Sequence, residues 1–335
     1  MIKVLVRYAM FGLVLVSSVA SAEPIKLKLS FFGLENSQIY LSGIKPFVDA
    51  VNSEGKELVA IEVYANGALG KVQAQQPQLV LDGVADIAFV VPGVTPYRFP
   101  DNALLEQVDL FRDTREGTLA YTRLIAAKAL RGYQDFFVIG VYTTDPTFIH
   151  SRKPIESLAA LKGQKIRANN PTEADALGLL GAIPTVLEAP KLADAISRGA
   201  IDGAALSPSG LYLFGVSQVA RNHYLLHGGS TPLALVMNRK TFDGLPEAAK
   251  ALIRKYSGER AAATWIGSLG VDEKQQLDKL KSDPERKVVE PSPSDRAAAQ
   301  AILRSMFDAW AGKTPRNREL LTMVETELAK IRSAK

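Results

Sequence analysis

The chain of 335 residues is 47% hydrophobic and 22% charged, with a formal net charge of +5 and no cysteine. It is long enough for two domains around a sizeable core, and it excludes thiol chemistry, cysteine metal sites and disulfide bracing. The basic excess is small and no long Lys/Arg run accompanies it, which argues against a nucleic-acid partner.

Met1 to Ala22 reads as a leader: Lys3 and Arg7, an apolar run from Ala9 to Ala20, then Ala20-Ser21-Ala22. The apolar run falls short of the roughly 20 residues of a membrane span, and the small residues suit a signal peptidase, so cleavage is expected before Glu23 and export to the periplasm follows. Strand and helix signals then alternate. Lys26 to Phe32 alternates as a strand, Ser37 to Val51 is helix-like despite Pro46, and Val59 to Tyr64 is a second strand. Lys71 to Leu81 reads as helical with a restart at Pro77, Ala85 to Val91 as an apolar strand, Thr114 to Tyr133 as a long helix and Phe136 to Tyr142 as a buried strand. This order predicts an α/β fold with mixed sheets covered by helices on both faces.

The pattern repeats. Gly83-Val84-Ala85-Asp86-Ile87-Ala88 ends one helix–strand unit, Gly199-Ala200-Ile201-Asp202-Gly203-Ala204 ends another, and each follows a helical segment opened by proline, Pro77 or Pro190. Two similar α/β lobes follow from this reading. In the second, Gln164 to Arg167 is a short strand ending on arginine, and Ala168, Asn169, Asn170 and Pro171 read as a loop. An arginine where a strand gives way to a loop is placed to enter a cleft, and its planar fork of donors matches a carboxylate. Pro246 to about Asp283 reads as one long helix marked by Gly258, Gly267 and Gly270, a strut across both lobes, with a break near Gly267 to Gly270 as the alternative. A short strand at Arg286 to Glu290 and helices at Ser294 to Ala311 and Arg318 to Arg332 complete the chain.

Catalytic signatures are absent. The three histidines are His150, His223 and His227. His223 and His227 have the i, i+4 spacing of a helical metal pair, but Arg221 to Leu226 reads as a strand, so no metal is expected. His150 reads as a structural residue. There is no G-x-S-x-G elbow, P-loop or G-x-G-x-x-G, and no cofactor is expected.

Several segments together resemble the extracytoplasmic solute-binding proteins of TRAP transporters, the DctP-like family. They are Ile61 to Gly70, Asp86 to Pro100, Arg152 to Ile155 followed by Leu161 to Arg167, Gly181-Ala182-Ile183-Pro184, Gly199 to Gly203, and Met237-Asn238 followed by Leu245-Pro246. The resemblance spans the mature chain and implies a two-lobed periplasmic-binding-protein fold with mixed sheets, an interdomain cleft and a long connecting helix. It implies capture of an organic acid and delivery to a membrane permease. The alternatives are an exported ligand-sensing subunit for a membrane receptor, or a secreted enzyme acting on a small acid.

The family's carboxylate-pairing arginine ends the "LKG-x-K-I-R" strand, which here is Arg167. The chain departs from the family in two places. Leu206 or Ser207 stands where many members have a ligand-touching asparagine, and no basic group except His150 lies between Gln134 and Ser151, where sialic-acid-type members place a second arginine. The expected contacts are therefore Arg167, Asn170, Leu206, Ser207, Phe32, Phe89 and Pro92, with Phe31, Tyr97 and Phe148 as further aromatic candidates. A monocarboxylate, aromatic or branched, is expected over a dicarboxylate. The expected division is a signal peptide at 1–22, lobe I at 23–144 plus about 233–270, lobe II at 145–232 plus about 271–315, and a C-terminal helix at 316–335 packing on the lobes of a monomer.

Overall fold

The computed structural model describes residues 23–334; the expected leader lies outside them. Strands β1 (Ile25–Ser30), β2 (Val59–Tyr64), β3 (Ile87–Val90), β4 (Phe136–Thr143) and β10 (Pro232–Asn238) form one sheet, ordered β2-β1-β3-β10-β4. Strands β5 (Phe148–Ser151), β6 (Lys165–Ala168), β7 (Ile183–Val186), β8 (Gly203–Leu206), β9 (Asn222–Tyr224) and β11 (Lys287–Val289) form the other, ordered β11-β9-β5-β8-β6-β7. Helices α1 (Lys45–Glu54), α2 (Gln76–Leu81) and α3 (Thr114–Ala126) connect the first set of strands. Helices α4 (Pro171–Leu179), α5 (Leu192–Ser197) and α6 (Pro208–Leu213) connect the second. The chain then adds α7 (Arg239–Gly244), α8 (Glu247–Lys255), α9 (Glu259–Ser282), α10 (Pro293–Gly312) and α11 (Pro315–Ser333).

The two sheets are built on one plan. In the first, β1 runs parallel to β2 and β3, and β10 runs antiparallel between β3 and β4. In the second, β6 runs parallel to β7 and β8, and β5 runs antiparallel between β8 and β9. The repeated sequence pattern makes repeated hydrogen bonds. Asp86 N donates to the Lys28 carbonyl at 2.9 Å, and Lys28 N donates to the Asp86 carboxylate at 2.8 Å. Asp202 and Lys165 make the same exchange at 2.8 and 2.9 Å. In each unit a left-handed glycine, Gly83 or Gly199, ends the helix before that aspartate, the conformation glycine adopts without steric cost.

The antiparallel strands exchange places. The chain leaves the first sheet along β4 and enters the second along β5, then returns from β9 to the first along β10. The two crossings lie side by side: Thr144 N donates to the Thr231 carbonyl at 3.2 Å, and Gly228 N donates to the Thr147 carbonyl at 2.8 Å.

Alternation along each strand feeds a core on both faces of each sheet. In β3, Ile87 and Phe89 join one cluster with Trp265 and Leu269 of α9, while Ala88 and Val90 join another with Tyr121 of α3 and Val324 of α11. In β8, Ala204 and Leu206 face one cluster and Ala205 the other. Helix α9 reaches both units, because Trp265 packs in the first sheet's core and Leu280 in the second's. Helix α10 also crosses between units: Ala299 packs with Ile166 and Tyr224, whereas Phe307 packs with Leu320 and Val324. Helix α11 packs on the first sheet's core.

Several elements differ from the sequence reading. The expected helix from Pro246 to Asp283 breaks at Gly258, not near Gly267 to Gly270, because Gly258 turns to φ 61°, ψ −126°. Pro46 lies in the first turn of α1, after a wider helical turn at Tyr40–Ile44, so it breaks no helix. Helix α3 ends at Ala126 instead of Tyr133, with Lys128 at φ 54°. Pro171 is not in a loop: it begins α4, where its missing N–H and fixed φ suit the first turn.

Candidate functional site

The period-2 alternation of β6 sets the orientation of Arg167. Ile166 and Ala168 face the α4 side and are buried in its cluster. Arg167, between them, therefore faces the other side, next to Ala204 on one neighbouring strand and Thr185 on the other. It is 2% exposed. Its Nε donates to the Leu187 carbonyl at 2.8 Å and its Nη2 to Asn169 Oδ1 at 2.7 Å. Nη1 donates to no described residue, and no described carboxylate lies within ion-pair reach. Burial lowers Arg167 to about 10, with nearby Glu173 opposing the shift, so it is charged at neutral pH.

Arg167 opens onto a cavity between the two sheets, beside the crossings. Thr144, Thr147 and Thr231 of the crossings line it. Phe32, Ile39, Val91 and Leu233 come from the first unit; Ala189, Ala205, Leu206 and Phe214 come from the second. The cavity measures about 60 Å³, several times the roughly 10–15 Å³ that one water requires. Its one charged lining group among the described residues is Arg167. The rest of the lining is apolar side chains, hydroxyls and the amides of Gln73 and Asn169, and a buried cation in such walls attracts a carboxylate.

Ser207 lines the cavity and also caps α6, accepting from Gly210 N at 3.3 Å. Beside it, Ser209 donates its N–H and its hydroxyl to Glu273 of α9 at 2.9 and 2.6 Å, which ties the cavity floor to the long helix. Burial raises Glu273 to about 8. Leu206 is held from behind. His150 Nε2 meets the Leu206 carbonyl at 3.2 Å, His150 Nδ1 meets His223 Nδ1 at 2.7 Å, and Arg286 Nη1 faces His223 Nε2 at 3.4 Å. One tautomer assignment satisfies all three contacts: Arg286 donates to His223, His223 to His150, and His150 to Leu206. Burial lowers His150 to about 4 and His223 to about 2, so both are neutral as this chain requires.

Of the seven expected contacts, Arg167, Leu206, Ser207 and Phe32 line the cavity, and the other three do not. Asn170 caps α4, its Oδ1 accepting from Glu173 N at 2.8 Å. Phe89 is locked in the first core against Phe31, Tyr142 and Phe32. Pro92 opens a tight turn after β3. Among the further aromatics, Phe31 and Phe148 are core residues and Tyr97 is 80% exposed. The residues missed by sequence reading are Gln73, Asn169, Ser209, Phe214 and the three crossing threonines.

The two units also touch near the cavity. Asn170 of the second abuts Gly93 of the first, and a Cβ at Gly93 would overlap Glu106 Oε1. Glu106 is buried, its Oε1 finds no donor among the described residues, and burial raises it to about 8, with Glu173 adding like charge.

The profile of bacterial extracellular solute-binding protein family 7, DctP, matches residues 33–313. This chain belongs to that family. It is a solute-binding component of a TRAP transporter, and members of the family are receptors for solutes rather than enzymes. The C4-dicarboxylate-binding periplasmic protein DctP of Rhodobacter capsulatus is 23% identical over 297 residues, covering 87% of this chain and 88% of that one. A TRAP solute-binding protein from Rhodoferax ferrireducens, solved with copurified benzoate, superposes with a TM-score of 0.85 at 25% identity, covering 91% and 98%. A marine metagenome TRAP solute-binding protein specific for aromatic acid ligands, solved with 3-hydroxybenzoate, superposes with a TM-score of 0.82 at 24% identity, covering 92% and 99%. DctP-family members thus share the fold while binding different acids. No described helix is long and apolar enough to cross a membrane, and the family works outside the cytoplasm.

Proposed function

We propose that this protein captures a monocarboxylate with an aromatic or branched apolar body in the periplasm and hands it, unaltered, to a TRAP permease. The supporting observation is Arg167: a nearly sealed guanidinium whose Nη1 donates to no described residue and which has no carboxylate partner among them, the one charged group among the described residues on a cavity otherwise lined by apolar side chains, hydroxyls and two amides. A dicarboxylate would place its second charge against uncharged walls, where an unpaired charge is costly. The benzoate held by the Rhodoferax ferrireducens relative agrees with this reading.

Ligand capture proceeds by hinge closure. The acid enters between lobes whose hinge is the paired crossings, Thr144 to Thr147 and Gly228 to Thr231. Arg167 takes the carboxylate, and closure removes water, which strengthens the ion pair as the effective dielectric falls. The closed form without a carboxylate leaves Arg167 buried and unpaired, so the ligand biases closure through its greater affinity for the closed state.

A thermal-shift screen tests the proposal. A ligand at one hundred times its Kd stabilises the folded state by about 2.7 kcal/mol, so benzoate-like and branched monocarboxylates raise the melting temperature. A rise with C4-dicarboxylates alone overturns the reading.

A further inference from the structure

The cavity holds a second polar group that the fold leaves unused. Gln73 lies in the short turn before α2, in the first unit, across the cleft from Arg167, which belongs to the second. It is 4% exposed and lines the same cavity. Its amide makes no hydrogen bond to any described residue, and its Oε1 is sealed from solvent without a donor. Three residues on, Gln76 shows what a structural glutamine does here: its Oε1 accepts from Ser30 Oγ at 2.8 Å and its Nε2 donates to the Gly70 carbonyl at 2.8 Å. Among the described residues lining the Arg167 cavity, Gln73 alone carries an orphaned buried oxygen.

A buried amide carbonyl without a donor is costly, whereas a ligand hydroxyl would satisfy it and could also accept from the amide nitrogen. A ligand that is apolar beyond its carboxylate would fill the cavity and leave that oxygen orphaned. We infer that Gln73 is a specificity-determining residue that reads a hydroxyl on the ligand's body, so that the preferred solute is a hydroxylated monocarboxylate spanning the cleft from Arg167 to Gln73. This rests on the monocarboxylate reading above and refines it. Because the two groups belong to different units, such a ligand ties both lobes together with its two polar ends. The neighbouring hydroxyls of Thr144 and Ser207 do not compete for this role, since each has a protein partner: Thr144 donates to the Asp145 carbonyl, and Ser207 caps α6.

Calorimetry on the full mature protein with benzoate and its 2-, 3- and 4-hydroxy derivatives tests the inference, with Gln73→Met as the variant and Gln73→Leu in its place if that one unfolds. The wild type is expected to bind at least one hydroxylated acid about tenfold more tightly than benzoate. Gln73→Met removes that margin while its benzoate affinity stays within about threefold of wild type. A margin that survives in the variant, the absence of any margin in the wild type, or an equal loss for benzoate and the hydroxylated acids overturns the assignment. Failure of all four acids to bind the wild type, with no thermal shift from the branched monocarboxylates, instead overturns the monocarboxylate reading on which it rests, so the two failures are distinguishable.

Discussion

Arg167 and Glu106 show how position in the fold decides what a charged side chain does. Arg167 is buried yet stays ionised, because burial lowers it only to about 10. Glu106 is buried and pushed up to about 8, with Glu173 of α4 adding like charge and the buried hydroxyls of Tyr121 and Tyr133 also near it. It therefore holds its proton at pH 7. The folded protein keeps that proton across the range where the unfolded chain, with an ordinary carboxyl near 4.5, has released it. Where the native state binds more protons than the unfolded one, stability falls as pH rises. The unfolding free energy in urea should therefore be lower at pH 8.5 than at pH 6, and the difference should shrink in Glu106→Gln, leaving the similar share of Glu273. Equal stability at the two pH values in the wild type would show that Glu106 is not held neutral. Arg167 was legible in the sequence, because a four-residue strand ending on arginine before Asn-Pro places a long cation at a strand mouth. Asn170 was legible in a second role: an asparagine followed by proline and, three residues on, by glutamate is a helix cap. Ser207-Pro208 carries the same signal, and Ser207 both caps α6 and lines the cavity. Gln73 and Phe214 gave no signal, because nothing local separates a glutamine or phenylalanine facing a cavity from one facing solvent or core.

At the scale of elements, the alternation of strands and helices along the chain was readable and the crossings were not. The matched Gly83-to-Ala88 and Gly199-to-Ala204 motifs, each after a proline-opened helical segment, identified two like units from local pattern alone. The exchange of β5 and β10 between sheets depends on pairing across long stretches of chain, such as Leu235 with Gly140 and Ile149 with Ala205, which periodicity does not encode. Thr144, Thr147 and Thr231 were therefore missed. The joint between α8 and α9 was also missed, since apolar periodicity runs through it. Gly258 adopts a conformation that other residues avoid, and nothing lies within 4 Å of a Cβ added there, so a substitution meets backbone strain and no clash. Gly258→Ala is expected to cost about 1–3 kcal/mol in chemical unfolding. A change below about 0.5 kcal/mol, the size of an ordinary surface substitution, would mean that the joint relaxes without strain.

At the scale of the whole molecule, two units of one plan are joined by paired crossings and spanned by α9, which packs Trp265 in one core and Leu280 in the other. Trp265 Nε1 donates to the Thr143 carbonyl at 3.0 Å at the end of β4, and Glu273 on the same helix holds Ser209. The long helix thus reaches both the start of the crossings and the cavity floor. The Arg167 cavity lies where the crossings, the floor and the strand end bearing Arg167 converge. Arg167 is proposed to hold the carboxylate of the ligand. Calorimetry of the best-binding monocarboxylate against wild type and Arg167→Ala tests it most directly. Removing one partner of a buried charge pair costs about 2–5 kcal/mol, so affinity should fall by roughly 30- to several-thousand-fold. A folded Arg167→Ala protein that loses less than about threefold would contradict the claim.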